Sequence, residues 1–293
     1  MLTKEEIAHY TKAGHICSEA RAYGVTLIKV GATVLDVNKK IEAKIIALGG
    51  KPAFPVQISI NHVAAHFCPD PDDALVFKAG DMCKLDLGVH IDGYIADTAI
   101  TVDLGDNKEL VKASKEACEE AVKLAVPGTP IHEIGKRIQE IITGYSFAPI
   151  RNLSGHGLSQ YGLHESPTIP NYDNKDKTEL KEGMVIAIEP FATTGKGMIR
   201  EQSAGNIYSA IKKKPVRSMY ARNIQIEIEK FDGLPFTTHW LSMPQKAAEM
   251  GLRELMAVGA IDCHPPLTEV AHGIVSQHEH SVIVAEKPII FTK

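Results

Sequence analysis

Two aspartates, Asp86 and Asp97, flank an Asp92-Gly93 pair in the stretch LDLGVHIDGYIADTAITV. Asp-Gly between two alternating runs is a strong signal for a two-residue hairpin turn. Such a turn sets Asp97 opposite Gly88, with Asp86 two residues further along the same face. The two carboxylates then become diagonal neighbours about 7 Å apart, within reach of one cation. Leu85, Leu87, Ile95 and Thr98 are expected on the opposite face. Two anions this close in a half-buried sheet are costly unless something positive lies between them. Lys78 and Lys84 are near in sequence, but a lysine so close to a strand start is expected to point to solvent. A metal ion is the better partner. The hairpin alone would also suit one turn aspartate and one exposed strand aspartate.

Three further residues favour the metal. Glu189 ends the apolar run MVIAIEP, where a buried, unpaired carboxylate would be expensive. Glu279 opens the apolar run EHSVIVAE and raises the same question. His156 stands between Gly155 and Gly157, small neighbours that let an imidazole reach a crowded centre. Hard oxygen donors with one imidazole suit Mn, Fe, Co or Zn rather than a thiolate site.

The elements that must position these groups follow a repeated order. A helix is predicted over 4–23, with Thr3 and Glu6 as a capping box and Gly24 as its stop. A second runs over 34–48, capped by Thr33 and ended by Gly49-Gly50, and strands follow at 56–60, 82–91 and 94–102. Helices at 106–126 and 130–142 and a strand at 184–189 repeat the pattern. Two rounds of helix pair then strands suggest a duplicated α+β unit, although the residues show no obvious repeat. Residues 195–273 change character, with helical stretches at 219–230 and 245–258, and read as a helical insertion; strand vocabulary resumes at 274–284. The Lys212-Lys213-Lys214 run within it reads as a solvated loop.

Composition sets the outer limits. The chain has 293 residues, 44% hydrophobic and 23% charged, with a net charge of −4. That balance argues against a nucleic-acid or acidic-membrane footprint over the whole protein. No apolar stretch is long enough to span a bilayer, and the N-terminal stretch lacks a signal-peptide core. Five scattered cysteines without a CxxC pair point to a reducing cytoplasm rather than a disulfide framework.

Five blocks in order carry a resemblance: KPAFPVQISINHVAAHFCP, DMCKLDLGVHIDGYIADTAITV, LSGHGLSQYGLHESPTIP, VIAIEPFATTGKG and SQHEHSVIV. Running almost end to end, they resemble the type II methionine aminopeptidases of the archaeal kind, in peptidase family M24. The resemblance implies a single catalytic domain with the pita-bread fold, two α+β units around a curved antiparallel sheet, and the type II insertion. It implies two divalent ions (Co, Mn, Fe or Zn). Asp97 and Glu279 would bridge them, Asp86 would bind one, and His156 with Glu189 the other. Two ions sharing a water would supply hydroxide near neutral pH, with Glu189 as general base. His66 and His164 resemble the family's substrate-contacting pair, suited to hydrogen-bonding the peptide and its oxyanion. Phe54, Leu163 and Phe191 resemble the wall of the methionine pocket, and each would serve equally as ordinary core. The substrates implied are N-terminal Met peptides and nascent chains with a small second residue. A cytoplasmic monomer is expected, with no membrane and no direct nucleic-acid partner; ribosome association stays open.

Two positions depart from the family pattern: His278 stands where a phenylalanine is usual, and His264 where a tyrosine often precedes Pro-Pro. Alternation is expected to turn His278 and His280 away from the face of Glu279. Aminopeptidase P and prolidase share the ligand types but carry a substantial N-terminal domain, for which too little chain precedes Asp86. A non-catalytic relative binding RNA or protein is disfavoured by the presence of all five ligands in an acidic chain.

Overall fold

The computed structural model describes residues 2–293. Helix α1 spans Lys4–Leu27 and begins with the expected capping box, in which the Thr3 hydroxyl accepts from the Glu6 amide and the Glu6 carboxylate accepts from Thr3 N–H. Its buried stripe includes Tyr10, Ala13, Ile16, Cys17 and Ala20. Gly24 does not stop the helix. It lies inside it because a β-carbon there would press on Leu85 Cδ2 at 2.6 Å and Ile41 Cδ1 at 2.7 Å, so helix and sheet approach where a side chain is missing. Helix α2, Val34–Ala47, starts after Thr33, but the Thr33 hydroxyl is buried without a partner and makes no cap bond.

The strands Met82–Ile91 and Tyr94–Asp103 form the hairpin, with Gly88 opposite Asp97 and Asp86 opposite Ala99. Asp92 and Gly93 take φ of 49° and 87°, the left-handed pair that a two-residue turn of matching twist requires. Ile95 pairs with His90 and therefore shares the face of Asp97, not the opposite one, because the two residues lie two apart on one strand. Lys51–Pro52 and Gln57–Ile60 flank the Met82–Ile91 strand, and α1 and α2 cover the face carrying Leu85 and Leu87.

The second half repeats the order. Helices α3, Lys108–Ala121, and α4, Ile131–Gly144, pack on antiparallel strands, burying Ile134, Ile138, Ile186, Ile188 and Val282. Ser154–Ser159, Gly162–Pro170, Val185–Ile188 and His280–Ile283 belong to one five-stranded sheet. The expected 274–284 strand is two strands. Val275–Gln277 pairs with Phe191–Thr193, and His280–Ile283 pairs with Val185–Ile188. Pro190 lacks an N–H and interrupts the opposing strand at the same level, so Glu189-Pro190 and His278-Glu279 face each other across the break. Both elements of the fold class, helix pairs and antiparallel sheets, are thus present twice.

The 195–273 segment, expected to be a helical insertion, is not simply helical. Ile199–Glu201 pairs with Leu267–Glu269, which in turn pairs with Val63–Ala65 of the first half. Beyond that tie, Ile207–Ala210, Phe236–Thr237 and Ile261–Cys263 make a three-stranded sheet. Helices α5, Met219–Glu227, and α6, Gln245–Ala257, close a separate core of Tyr208, Ile224, Phe236, Leu252 and Leu255. Lys212 and Lys213 are exposed.

Candidate functional site

Asp86, Asp97, His156, Glu189 and Glu279 all line one cleft of about 210 Å³. They reach it from separate parts of the fold. The hairpin presents the two aspartates, and the paired strand breaks release Glu189 and Glu279 from sheet alternation so that both carboxylates turn inward. His156 sits on Ser154–Ser159, where a β-carbon on Gly155 would overlap the Ala187 carbonyl and one on Gly157 the Ser166 carbonyl. The flanking glycines therefore let three strands close around the imidazole.

The two halves are stitched along the second hairpin strand. Glu279 N–H donates to the Ala99 carbonyl at 3.0 Å, and the Thr98 hydroxyl donates to the Glu279 carbonyl at 2.9 Å. The Thr101 hydroxyl donates to the Gln277 carbonyl at 2.8 Å. Donor atoms of Asp97, His156 and Glu279 consequently lie within 4.8 Å of one another. His156 Nε2 stands 3.7 Å from Asp97 Oδ2 and 3.9 Å from Glu189 Oε1, while its Nδ1 faces the Gly157 carbonyl at 3.1 Å. With the proton on Nδ1, Nε2 offers its lone pair to the cluster.

The electrostatics are those of a site built around positive charge. Burial lifts the Asp86 carboxyl to about 7, against the hydrogen bond from Gln277. Burial, then the neighbouring carboxylates, push Asp97, Glu189 and Glu279 well above the usual range. Burial and then His164 hold His156 down at about 3. One oxygen each of Asp86 and Asp97 is buried with no hydrogen-bond partner. Lys84 does not neutralise them, and it does not point to solvent as expected. It is fully buried, and its ammonium ends on the Asn61 and Met82 carbonyls at 2.7 and 3.4 Å. Four crowded carboxylates, an imidazole lone pair and orphaned oxygens fit divalent cations.

His66 and His164 line the same cleft, as do Phe54, Leu163 and Phe191. His66 is held by its main chain, whose N–H donates to Gln57 Oε1 at 2.8 Å. Burial, then His164 and His264, bring His66 to about 4, and burial, then His264, also lowers His164. Both imidazoles are neutral near pH 7 and able to donate one hydrogen bond each. His264 also faces the cleft, its Nε2 2.8 Å from the Ser209 hydroxyl. His278 and His280 pack against each other elsewhere, with ring centroids 5.3 Å apart, and His280 Nδ1 meets the Thr292 hydroxyl at 3.0 Å.

Gln277 was not foreseen. Its Nε2 stands 3.5 Å from Asp86 Oδ2 and 3.3 Å from Glu189 Oε2, joining two carboxylates from opposite halves. Neutral and one residue inside a strand, it gives no signal in composition or charge. Ile207, Pro235 and Leu267, all from the segment after Glu189, complete the apolar wall.

Comparison with known proteins agrees with this architecture. Residues 8–228 match the model of metallopeptidase family M24. A methionine aminopeptidase of Archaeoglobus fulgidus is 49% identical over 94% of this chain and 94% of its own length. The crystal structure of a methionine aminopeptidase from Thermotoga maritima superposes with a TM-score of 0.74 at 25% identity, covering 100% of this chain and 98% of that one. A thermophilic Arx1 structure has a TM-score of 0.88, covers 99% of this chain and 91% of that one, and at 15% identity is a likeness of fold alone. The pita-bread fold, the metal-ligand types and near-complete coverage by close relatives converge: the chain belongs to metallopeptidase family M24 and, within it, to the methionine aminopeptidases.

Proposed function

We propose that the chain removes the initiator methionine from peptides and nascent proteins whose second residue is small, as a cytoplasmic monomer. The observation that carries this reading is the convergence of Asp86, Asp97, His156, Glu189 and Glu279 on one buried cleft with no lysine or arginine among its described lining residues. In this reading Asp86, Asp97, His156, Glu189 and Glu279 would together hold two divalent ions (Mn, Fe, Co or Zn). Bound there, the ions would acidify a water and polarise the scissile carbonyl.

The rest falls to the protein. Glu189 acts as general base, taking a proton on its carboxylate from the attacking water and passing it to the leaving amine. Neutral His66 and His164 donate to the peptide and to the oxygen that gains charge. Phe54, Leu163 and Phe191 enclose the methionine side chain, and the 195–273 segment closes the wall through Ile207, Pro235 and Leu267.

The test is substrate choice. Chelator-stripped protein re-supplied with Mn, Fe or Co is given Met-Ala-Ser and an Xaa-Pro peptide. Methionine release with the Xaa-Pro peptide intact supports the reading. Cleavage of the Xaa-Pro peptide instead moves the chain to prolidase-type chemistry, and a folded protein that releases nothing with any metal overturns the enzyme reading.

A further inference from the structure

A second set of metal-ligating side chains lies outside the cleft. His62, in the turn between Gln57–Ile60 and Val63–Ala65, meets His272, in the loop after Leu267–Glu269, with ring centroids 4.7 Å apart and planes at 60°. Both line a surface depression of about 440 Å³, together with Arg200, Glu201, Gln202 and Thr268. Neither belongs to the machinery described above.

The ring spacing of 4.7 Å fits a shared ion. An imidazole nitrogen binds zinc at about 2.0–2.1 Å, so each ring centroid lies about 3.2 Å from the ion, and two rings at openings of roughly 90–110° lie about 4.5–5.2 Å apart. Main-chain bonds fix both rings' backbones. Glu269 N–H donates to the His62 carbonyl at 2.9 Å, and His272 N–H donates to the Glu269 carbonyl at 3.0 Å. The Glu269 carboxylate, fully buried, accepts from Lys196, Ala271 and Gly273 N–H groups at 2.6, 2.7 and 3.0 Å. That cage holds His272 at a φ of 59°, a left-handed conformation a loose loop would relax. Burial, then the neighbouring His272, lowers His62, so its imidazole is neutral and its lone pair available near pH 7. Metal sites gain from ligands held in place before the ion arrives.

We propose that His62 and His272 form a peripheral site for an imidazole-seeking divalent ion (zinc, copper or nickel), separate from the cleft. The two imidazoles supply two ligands. Water fills the remaining positions.

Equilibrium dialysis of the full chain against about 10 µM free zinc, followed by metal analysis, tests this. The wild type is expected to hold one zinc more per chain than the His62→Gln/His272→Asn double variant, and each single substitution is expected to weaken that ion at least tenfold. Both proteins retain their full rate on Met-Ala-Ser, because neither residue touches the cleft. Anomalous diffraction at the zinc edge from soaked wild-type crystals is expected to place an ion between the two rings, and does not depend on how the variant folds. Equal zinc content in wild type and a folded double variant, or no anomalous peak between the rings, overturns the proposal.

Discussion

Ser281 satisfies both main-chain groups of Asp97: its hydroxyl accepts from the Asp97 N–H at 2.9 Å and donates to the Asp97 carbonyl at 2.8 Å. One buried side chain on the C-terminal strand thus fixes an aspartate on the hairpin, across the seam between the two halves. Removing the hydroxyl leaves a buried donor and acceptor unpaired, which costs about 1–3 kcal/mol. Ser281→Ala should lower the denaturant midpoint accordingly and weaken metal retention against chelator about 10–100-fold, as loss of a group supporting a ligand does. Unchanged retention would mean that Asp97 does not depend on the seam.

Gly88 faces Asp97 across the hairpin, and a β-carbon there would overlap the Phe54 ring. The aromatic ring lies over the strand only because that side chain is absent. Gly88→Ala should push Phe54 into the cleft and lower kcat/KM for Met-Ala-Ser by roughly 10–100-fold, as displacement of a positioning group does. Steady-state kinetics on the folded variant decides it; a wild-type kcat/KM would remove Phe54 from the pocket wall.

His66 and His164 are neutral donors on the cleft wall, suited to a group whose charge grows during the reaction. Interactions of that kind act on kcat more than on KM. His66→Ala and His164→Ala should each reduce kcat about 10²–10³-fold, with KM shifted only a few-fold. A large rise in KM at constant kcat would assign them to ground-state binding instead.

His90 ties stability to pH. Its Nδ1 accepts from Gly93 N–H at 3.1 Å at the hairpin turn, an arrangement open only to the unprotonated ring, and burial, then Lys51, lowers its pKa to about 4. The folded-state value lies below the ordinary 6.5, so the unfolded chain takes up the proton first. The stabilisation is fully present above pH 6.5 and drains away as pH falls towards 4, at no more than about 1.4 kcal/mol per pH unit for one group. Denaturant midpoints measured from pH 8 to 4 should fall less steeply for His90→Gln than for the wild type. Parallel curves would show that His90 titrates alike in both states.

Much of the centre is legible in the residues themselves. Period-two alternation around Asp92-Gly93 determines the hairpin register, and with it the Gly88–Asp97 pairing. The assignment of ligands rested on resemblance as well as on residue type. What stayed hidden has physical causes. Gly24 reads as a helix stop because a glycine excluded by close packing looks the same in sequence. Lys84 reads as exposed because its main-chain acceptors, Asn61 and Met82, leave no mark on composition. The break at His278-Glu279 is invisible because no glycine or proline marks it in its own segment, while the interruption is set by Pro190 on the opposing strand. The sheet formed by Ile207–Ala210, Phe236–Thr237 and Ile261–Cys263 escaped because such short strands show no periodicity.

The central claim is that the buried carboxylate cluster, loaded with metal, is what releases methionine. The direct measurement is free methionine from Met-Ala-Ser, using chelator-stripped wild type and Glu279→Ala, each before and after re-supply of Mn, Fe or Co. No release is expected from either stripped protein, with recovery by metal in the wild type and less than about a thousandth of that rate in a folded Glu279→Ala, in keeping with loss of metal-ion catalysis. Wild-type recovery in Glu279→Ala, or full activity in the stripped wild type, would contradict it.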